Sequence, residues 1–182
     1  MKIGIIGAGA MGSGIAQVAS QAGHEVILTD LSQDVLNASK SKLAKIMNRL
    51  VEKEKITCDE AQNIQSRIIR TTSLKDLKDC SLVIEAVVER MDVKNAVFSE
   101  LEGIVSDEAI IASNTSSLSI TSIAKECRES DRIVRLHFFN PAPLMPLVEI
   151  IPALQTKEEI SLEQNLHFRV CPGLAYLADQ NF

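Results

Sequence analysis

The chain has 182 residues, of which 46% are hydrophobic and 24% are charged, and its formal net charge is −5. A chain of this length and composition can bury a sizeable core and is typical of a globular protein. The acidic balance argues against nucleic acid as a partner, because such binding generally requires a basic face. No apolar run approaches the roughly 20 residues that span a bilayer, so we expect no membrane association.

Short runs rich in β-branched residues alternate with helical stretches along most of the chain. The sequence predicts strands at 2–6, 25–30, 67–72, 81–87, 109–113 and 132–139, and a further candidate strand at 147–151. Helices are predicted at 11–22, 33–54, 91–105 and 119–126. The strands are mostly continuous apolar runs, as expected for strands covered on both faces. This alternation predicts an α/β fold with a doubly wound, mostly parallel sheet.

The first strand runs into a glycine-rich turn, IIGAGAMGSGIA at 5–16. Within it, Gly7, Gly9 and Gly12 form the GxGxxG pattern of a Rossmann-type dinucleotide site. Gly7 permits the tight turn, Gly9 lets the backbone approach a pyrophosphate, and Gly12 allows the helix to pack closely on the strand. The N-terminus of the following helix offers free N–H groups to phosphates. Ala8, Ala10 and Met11 complete this predicted cofactor loop.

Asp30 ends the second predicted strand, 23 residues after Gly7. A carboxylate at that position accepts hydrogen bonds from the adenosine ribose hydroxyls and repels a 2′-phosphate. No arginine follows within several residues, so the pattern favours NAD over NADP. Two alternatives remain at this point: an FAD site, which shares the fingerprint, and a glycine-rich turn that binds nothing.

The four cysteines are scattered, without a second cysteine or a histidine at metal-ligand spacing. This usage indicates reduced thiols, a cytoplasmic location and no metal site. The residues are Cys58, Cys80, Cys127 and Cys171.

The stretch LHFFNPAPLMPLVE at 136–149 places ionisable residues in an apolar part of the chain. His137 is followed closely by Asn140, and Glu149 lies twelve residues after the histidine. The hydroxyl-rich SNTSS at 113–117 follows a predicted strand, at the sheet edge where ligands of this architecture bind. A hydride-transfer site needs a base, an anion that orients it and donors for the substrate oxygen. Taken alone, the pattern leaves open a core histidine and a helix cap.

Five separated motifs occur in a fixed order: GAGAMGSGIA at 7–16, LTD at 28–30, VIEAVVE at 83–89, ASNTSSLSI at 112–120 and LHFFNPAPLMPLVEII at 136–151. With them the chain resembles the L-3-hydroxyacyl-CoA dehydrogenases, including the bacterial 3-hydroxybutyryl-CoA dehydrogenases, and specifically their N-terminal NAD-binding domain. The resemblance covers residues 1 to about 160. Such a set of long motifs is far more specific than GxGxxG alone.

The resemblance implies roles for four catalytic positions. His137 corresponds to the histidine that accepts the proton of the 3-hydroxyl while hydride leaves C3 for the nicotinamide. Glu149 corresponds to its partner, which would fix the tautomer and stabilise the imidazolium. Ser116 and Asn140 correspond to residues that orient the substrate oxygen and line the nicotinamide end of the cofactor site.

The resemblance also implies further cofactor and substrate neighbours. Ala86 and Val87 would be backbone neighbours of NAD. Glu89 and Lys94 match cofactor-proximal positions, and Lys94 also matches a substrate-proximal one.

A basic segment supports an acyl-CoA substrate. Residues 40–55 hold six basic and two acidic side chains, and Lys42, Lys45, Arg49 and Lys53 fall on one helical stripe. Such a stripe suits the phosphates of CoA. In the family this region is a helical hairpin that meets CoA, and Lys53 is the position that corresponds. The alternative is an ordinary solvated helix face.

After about residue 160 the resemblance fades. Family members continue as a helical domain that closes the cleft, contributes an asparagine and forms the interface of a homodimer. We therefore expect a Rossmann-type domain over residues 1–151 and an irregular tail over 152–182, the truncated start of that helical domain. The chain would then be incomplete.

The sequence thus predicts NAD-dependent oxidation of the C3 hydroxyl of a 3-hydroxyacyl-CoA, with 3-hydroxybutyryl-CoA and acetoacetyl-CoA as the favoured pair. Two alternatives stay open. One is a different β-hydroxyacid dehydrogenase type, which shares GxGxMG but uses a catalytic lysine and lacks HFFNP. The other is an NAD-binding module without catalysis, such as a redox sensor or an interaction domain.

Overall fold

The structure is a computed structural model that describes residues 1–161 and the backbone of 175–178. The strands are β1 (Lys2–Ile6), β2 (Glu25–Thr29), β3 (Ile68–Thr71), β4 (Leu82–Glu85), β5 (Ile110–Ser113), β6 (Ile133–Phe138), β7 (Leu147–Pro152) and β8 (Ala175–Ala178). The α-helices are α1 (Ala10–Gln21), α2 (Gln33–Glu52), α3 (Cys58–Ser66), α4 (Met91–Leu101), α5 (Ile120–Lys125) and α6 (Glu158–Ser161). Short 3₁₀ turns lie at Leu74–Leu77 and Ser130–Arg132.

The strands form one sheet in the order β3-β2-β1-β4-β5-β6-β7-β8. Every neighbouring pair is parallel except β6 and β7, which are antiparallel. The chain leaves β1 for β2 on one side and later returns to β4 on the other. This reversal of direction creates a crevice at the carboxyl ends of β1 and β4, where ligands of doubly wound sheets bind.

Two apolar layers cover the two faces of the sheet. Successive side chains of a strand point to opposite faces, so in β4 Leu82 and Ile84 enter one layer while Val83 enters the other. The first layer receives Ile15 from α1, and the second receives Phe98 from α4. Burial of each such side chain contributes about 1.5–3 kcal/mol, which explains why the strands read as continuous apolar runs.

Helices α2 and α3 form the helical hairpin that the resemblance implies. Ser32 caps α2 by accepting a hydrogen bond from the Val35 amide, and Thr57 and Glu60 form a reciprocal capping box at the start of α3. Leu43 and Met47 anchor α2 in the first apolar layer. The four side chains of the basic stripe, Lys42, Lys45, Arg49 and Lys53, are all exposed.

The predicted doubly wound, mostly parallel sheet is confirmed, and each predicted strand lies within two residues of an observed one. The helix predicted at 91–105 is shorter in the structure, where it ends at Leu101. Part of the tail that we expected to be irregular is regular, since Pro152 still pairs with Val134 and Ala175–Ala178 pairs with β7. The rest of that tail, 162–174 and 179–182, lies outside the described residues and includes Cys171. The domain boundary at residue 151 stays a prediction.

The helices formed by the described residues are too short or too polar for any of them to cross a membrane.

Candidate active site

The turn between β1 and α1 is packed so closely that two of its positions require glycine. Gly7 has φ +97°, and a Cβ there would lie 2.6 Å from the Ala86 carbonyl oxygen. A Cβ on Gly12 would lie 1.8 Å from the Gly7 carbonyl oxygen. A Cβ on Gly9 would meet no atom within 4 Å, so the space beside this residue is open. Gly9 also caps α1 without a side-chain hydrogen bond, which leaves the first helical N–H groups available to an anion.

Asp30 lies at the carboxyl end of β2 and faces the glycine turn. Its Oδ2 accepts a hydrogen bond from the Ala8 amide at 2.8 Å, and its Oδ1 accepts one from the Ser32 amide at 3.0 Å. Each carboxylate oxygen retains a second lone pair that can accept a hydroxyl proton. The side chain is therefore held in one orientation, with lone pairs that could accept hydroxyl groups.

Five of the predicted cofactor residues line one cavity of about 670 Å³: Gly7, Gly9, Asp30, Ala86 and Val87. Its other walls are mainly apolar and include the exposed side chains of Leu31 and Val88. Of the remaining predicted loop residues, Ala8 bonds Asp30 through its amide, Met11 packs against the core, and Ala10 lines a second cleft. The cavity fits a dinucleotide, because it combines open space beside the Gly9 backbone, the fixed carboxylate of Asp30 and mainly apolar walls.

His137 and Glu149 are brought together by the antiparallel pairing of β6 with β7. They are register partners, so their side chains project from the same face of the sheet. His137 Nδ1 lies 2.8 Å from Glu149 Oε2. With the carboxylate accepting the Nδ1–H, the Nε2 atom is left as the basic nitrogen. The imidazole also stacks obliquely against Phe139, at a centroid distance of 4.7 Å.

The 114–117 loop, between the end of β5 and the start of α5, is anchored on two sides. The Asn114 Oδ1 atom accepts a hydrogen bond from the Phe138 amide at 2.8 Å, which ties the loop to β6 beside His137. The Ser116 amide donates to Glu89 Oε1 at 3.1 Å, and the Ser116 side chain is exposed. Asn140 is likewise exposed, in the loop after β6. Ser116 and Asn140 thus extend from the same edge of the sheet as His137.

Glu89 collects hydrogen bonds from this loop. Its Oε1 accepts from the Thr115 hydroxyl at 2.5 Å and from the Ser116 and Ser117 amides at 3.1 Å each. Partial burial alone would raise the pKa of Glu89, but these hydrogen bonds and the Lys94 ammonium lower the pKa to about 2. The carboxylate is therefore ionised throughout the physiological range.

Lys94 lies beneath the loop, between two carboxylates. It is 1% exposed, and its Nζ lies 2.7 Å from Glu85 Oε1 and 3.3 Å from Glu89 Oε2. Both partners of Lys94 belong to this chain, so a direct contact of Lys94 with the cofactor or the substrate stays a prediction. The sequence analysis missed Glu85. The available signal was a carboxylate at the end of an apolar strand, which requires a buried cationic partner.

A second cleft, of about 390 Å³, lies between α1, α2 and the loop after β6. Leu43, Ile46 and Leu50 form its apolar wall, and Asn140 lies at its edge. Among its polar residues, Gln17 is 5% exposed. Lys42 lines the cleft, whereas Lys53 lies beyond it, at the C-terminal end of α2.

Comparisons with known proteins identify similar chains. Residues 2–168 match the family model described as 3-hydroxyacyl-CoA dehydrogenase, NAD binding domain. A probable 3-hydroxybutyryl-CoA dehydrogenase of Deinococcus radiodurans is 46% identical over 159 residues, which cover 87% of this chain and 57% of the relative. A 3-hydroxyadipyl-CoA dehydrogenase of Escherichia coli K12 is 40% identical over 158 residues, which cover 87% of this chain and 33% of that protein.

A solved structure has the same fold over nearly the whole chain. The (S)-3-hydroxybutyryl-CoA dehydrogenase of Ralstonia eutropha superimposes with a TM-score of 0.91 and 39% identity, covering 97% of this chain and 62% of that one. The chain therefore spans a little over half the length of its 3-hydroxybutyryl-CoA dehydrogenase relatives.

Gly9 and Gly12 give a paired prediction. Gly12→Ala places a methyl group against the Gly7 carbonyl, so we expect the free energy of unfolding to fall by about 1–3 kcal/mol. Gly9→Ala meets no protein atom and should keep wild-type stability, yet its methyl group occupies the space open to a pyrophosphate. NADH affinity, measured by fluorescence titration, should fall by about tenfold or more. Wild-type NADH affinity in Gly9→Ala would argue against a phosphate at this turn.

Glu89 gives a prediction about acid stability. Its pKa falls from the ordinary value of 4.5 to about 2 on folding, so its stabilising effect is complete above pH 4.5 and is lost as the pH drops towards 2. The difference in unfolding free energy between wild type and Glu89→Gln, measured by urea denaturation, should shrink over that window. A difference that stays constant with pH would contradict the assignment.

Proposed function

Because the chain belongs to the 3-hydroxyacyl-CoA dehydrogenase family, we propose that it transfers hydride between NAD and the C3 hydroxyl of a 3-hydroxyacyl-CoA. The observation that carries the proposal is the His137–Glu149 pair, at 2.8 Å, on the same sheet edge as the dinucleotide cavity. An oriented base beside a cofactor cavity is the minimum that alcohol oxidation requires. The relatives that match along most of this chain carry names of the same reaction type.

In the oxidative direction, His137 removes the proton of the substrate hydroxyl through Nε2 as the hydride leaves C3. The cofactor supplies the hydride acceptor when it is bound. Glu149 holds the Nδ1–H, so the imidazole presents the correct tautomer and the imidazolium that forms is stabilised by an adjacent anion. In the reductive direction, the same imidazolium returns the proton to the C3 oxygen.

The described residues suit the pyrophosphate and the adenosine ribose of NAD. The backbone at Gly9 and the first N–H groups of α1 would hold the pyrophosphate, and Asp30 would accept the adenosine ribose hydroxyls. Ala86 and Val87 line the cavity with backbone and small side chains. Ser116 and Asn140, which are exposed on adjacent loops, would orient the substrate oxygen towards His137.

The second cleft suits the acyl-CoA chain. Its apolar wall matches an acyl-pantetheine segment, and the Gln17 side chain offers an amide to a group that carries amides of its own. The basic stripe of α2 continues from Lys42 at the cleft to Lys53 at the end of the helix. That direction would place the CoA phosphates against the exposed lysines.

Two other functions were left open by the sequence. The dehydrogenase type with a catalytic lysine is disfavoured, because Lys94, whose partner Glu89 binds the 114–117 loop, is buried and paired with Glu85 and Glu89. A non-catalytic NAD-binding module would need the cavity but not the His137–Glu149 pair. The experiment that separates this module from an enzyme is turnover.

The test combines NADH binding with oxidation of NADH by acetoacetyl-CoA. We expect the wild-type chain to bind NADH, and we expect His137→Asn to lose about 10²–10⁴-fold of the wild-type kcat while it binds NADH normally. Glu149→Gln should lower kcat less and leave the NADH affinity unchanged. If the wild-type chain binds NADH but shows no turnover, the non-catalytic module is favoured. If His137→Asn turns over as fast as the wild type, this histidine is excluded as the base.

The basic stripe gives a separate prediction. Lys53→Ala should raise the KM for acetoacetyl-CoA by about two- to fivefold, the range expected of one exposed charge contact, and salt should reduce the difference. Lys78→Ala is the matched control, because Lys78 is an exposed lysine outside both cavities. An equal rise in KM for both variants would indicate a general charge effect rather than a CoA contact.

A further inference from the structure

We propose that Glu85 is a positioning residue, which holds the wall of the cofactor cavity and the Ser116-bearing 114–117 loop in one fixed arrangement through hydrogen bonds and the buried Lys94. The catalytic consequence rests on the proposed function, whereas the structural part can be measured without turnover. Glu85 ends β4 and is 0% exposed.

The carboxylate of Glu85 is saturated by partners from three segments. Oε1 accepts the Val87 amide at 2.7 Å and the Lys94 ammonium at 2.7 Å. Oε2 accepts the Ser113 hydroxyl at 2.7 Å and the Lys94 ammonium at 3.0 Å. One buried anion thus joins the strand that leads into the cofactor cavity, helix α4 and the end of β5.

Two routes lead from Glu85 to the 114–117 loop. In the first, Lys94 bridges Glu85 and Glu89, and Glu89 accepts the Ser116 and Ser117 amides. In the second, the Ser113 hydroxyl donates to Glu85 and its oxygen accepts the Thr115 amide at 3.2 Å. The backbone on both sides of Ser116 is therefore held by groups that depend on Glu85.

A third contact joins Glu85 to the cofactor side. Val87 lines the dinucleotide cavity, and its amide is fixed by the Glu85 carboxylate. The wall of the cavity and the loop that carries Ser116 therefore share one buried anchor. Because interactions in a buried network are stronger than in water, loss of the anchor loosens both segments together.

Charge balance explains why the network needs both Glu85 and Lys94. A buried ammonium is tolerated only beside an anion, so Glu85→Gln alone leaves Lys94 with the partly exposed Glu89 and destabilises the fold. The double variant Glu85→Gln/Lys94→Met removes both buried charges and should recover much of that stability. The double variant still removes the ammonium partner of Glu89 and the Glu85 carboxylate that anchors the loop. Its effect on the loop can therefore be measured without a large loss of stability.

The experiment measures amide hydrogen exchange by NMR in the full chain, together with NADH affinity and the kinetics with acetoacetyl-CoA. In Glu85→Gln and in the double variant, exchange of the Thr115, Ser116 and Ser117 amides should accelerate by about tenfold or more relative to the amides of β1. In turnover by Glu85→Gln, which keeps Lys94, kcat should fall by about tenfold or more, while the KM for acetoacetyl-CoA stays within about twofold.

Glu102→Gln is the matched control. Glu102 is another buried carboxylate that accepts backbone amides, from Arg128 at 3.1 Å and Glu129 at 2.8 Å, but it lies outside the Glu85 network. It should destabilise the protein without changing exchange at residues 115–117. Exchange that accelerates equally in this control would overturn the proposal, as would a folded double variant with wild-type exchange in the loop.

Different results would contradict the proposed function and the positioning role of Glu85. If the wild-type chain does not turn over but the exchange results hold, Glu85 is supported as the anchor and the proposed function is contradicted. If the wild-type chain turns over and Glu85→Gln keeps the wild-type kcat, the proposed function stands and the positioning role is overturned.

Discussion

The approach of the glycine turn to β4 is the constraint on which the rest of the molecule depends. Gly7 donates its amide to the Thr29 carbonyl, and the Ala86 amide donates to Ile6, so the ends of three strands are joined at one point. Only a residue without a Cβ leaves room for the Ala86 carbonyl against Gly7. The same contact places the loop after β4, with Val87, against the loop that leads into α1. The cofactor cavity is the space that remains between them.

A second constraint comes from β6 and β7, the one antiparallel pair among the described strands. The chain leaves β6, turns through 139–146 and returns alongside as β7, so two residues twelve positions apart become direct partners. An antiparallel return makes this possible with a short connection, whereas a parallel pair would need a long crossover. His137 lies near the carboxyl end of β6, at the same edge as the cofactor cavity, and Glu149 necessarily arrives beside it. The geometry of the His137–Glu149 pair thus follows from strand register rather than from loop conformation.

Much of this arrangement could be predicted from the sequence, because it depends on local rules. Continuous apolar runs located the strands, and GxGxxG with Asp30 located the cofactor crevice, since both reflect short-range sterics. The buried network could not be predicted in the same way. Lysine is usually a surface residue, and only the three-dimensional structure shows that the Lys94 ammonium is buried against Glu85. The tail past residue 152 also resisted prediction, since whether Ala175–Ala178 pairs with β7 depends on edge contacts that no local pattern encodes.

The buried network and the His137–Glu149 pair use carboxylates in the same manner. Glu149 orients the His137 imidazole, and Glu85 and Glu89 orient the Lys94 ammonium. Because two carboxylates surround one ammonium, the network carries a net negative charge. This charge lies beside the 114–117 loop, whose amides donate hydrogen bonds to Glu89. In the proposed reaction, a proton taken up by His137 would be balanced by Glu149, and the Lys94 ion pairs would not have to rearrange. Fixed charges that need not reorganise during the reaction are the form of electrostatic support that contributes most to catalysis.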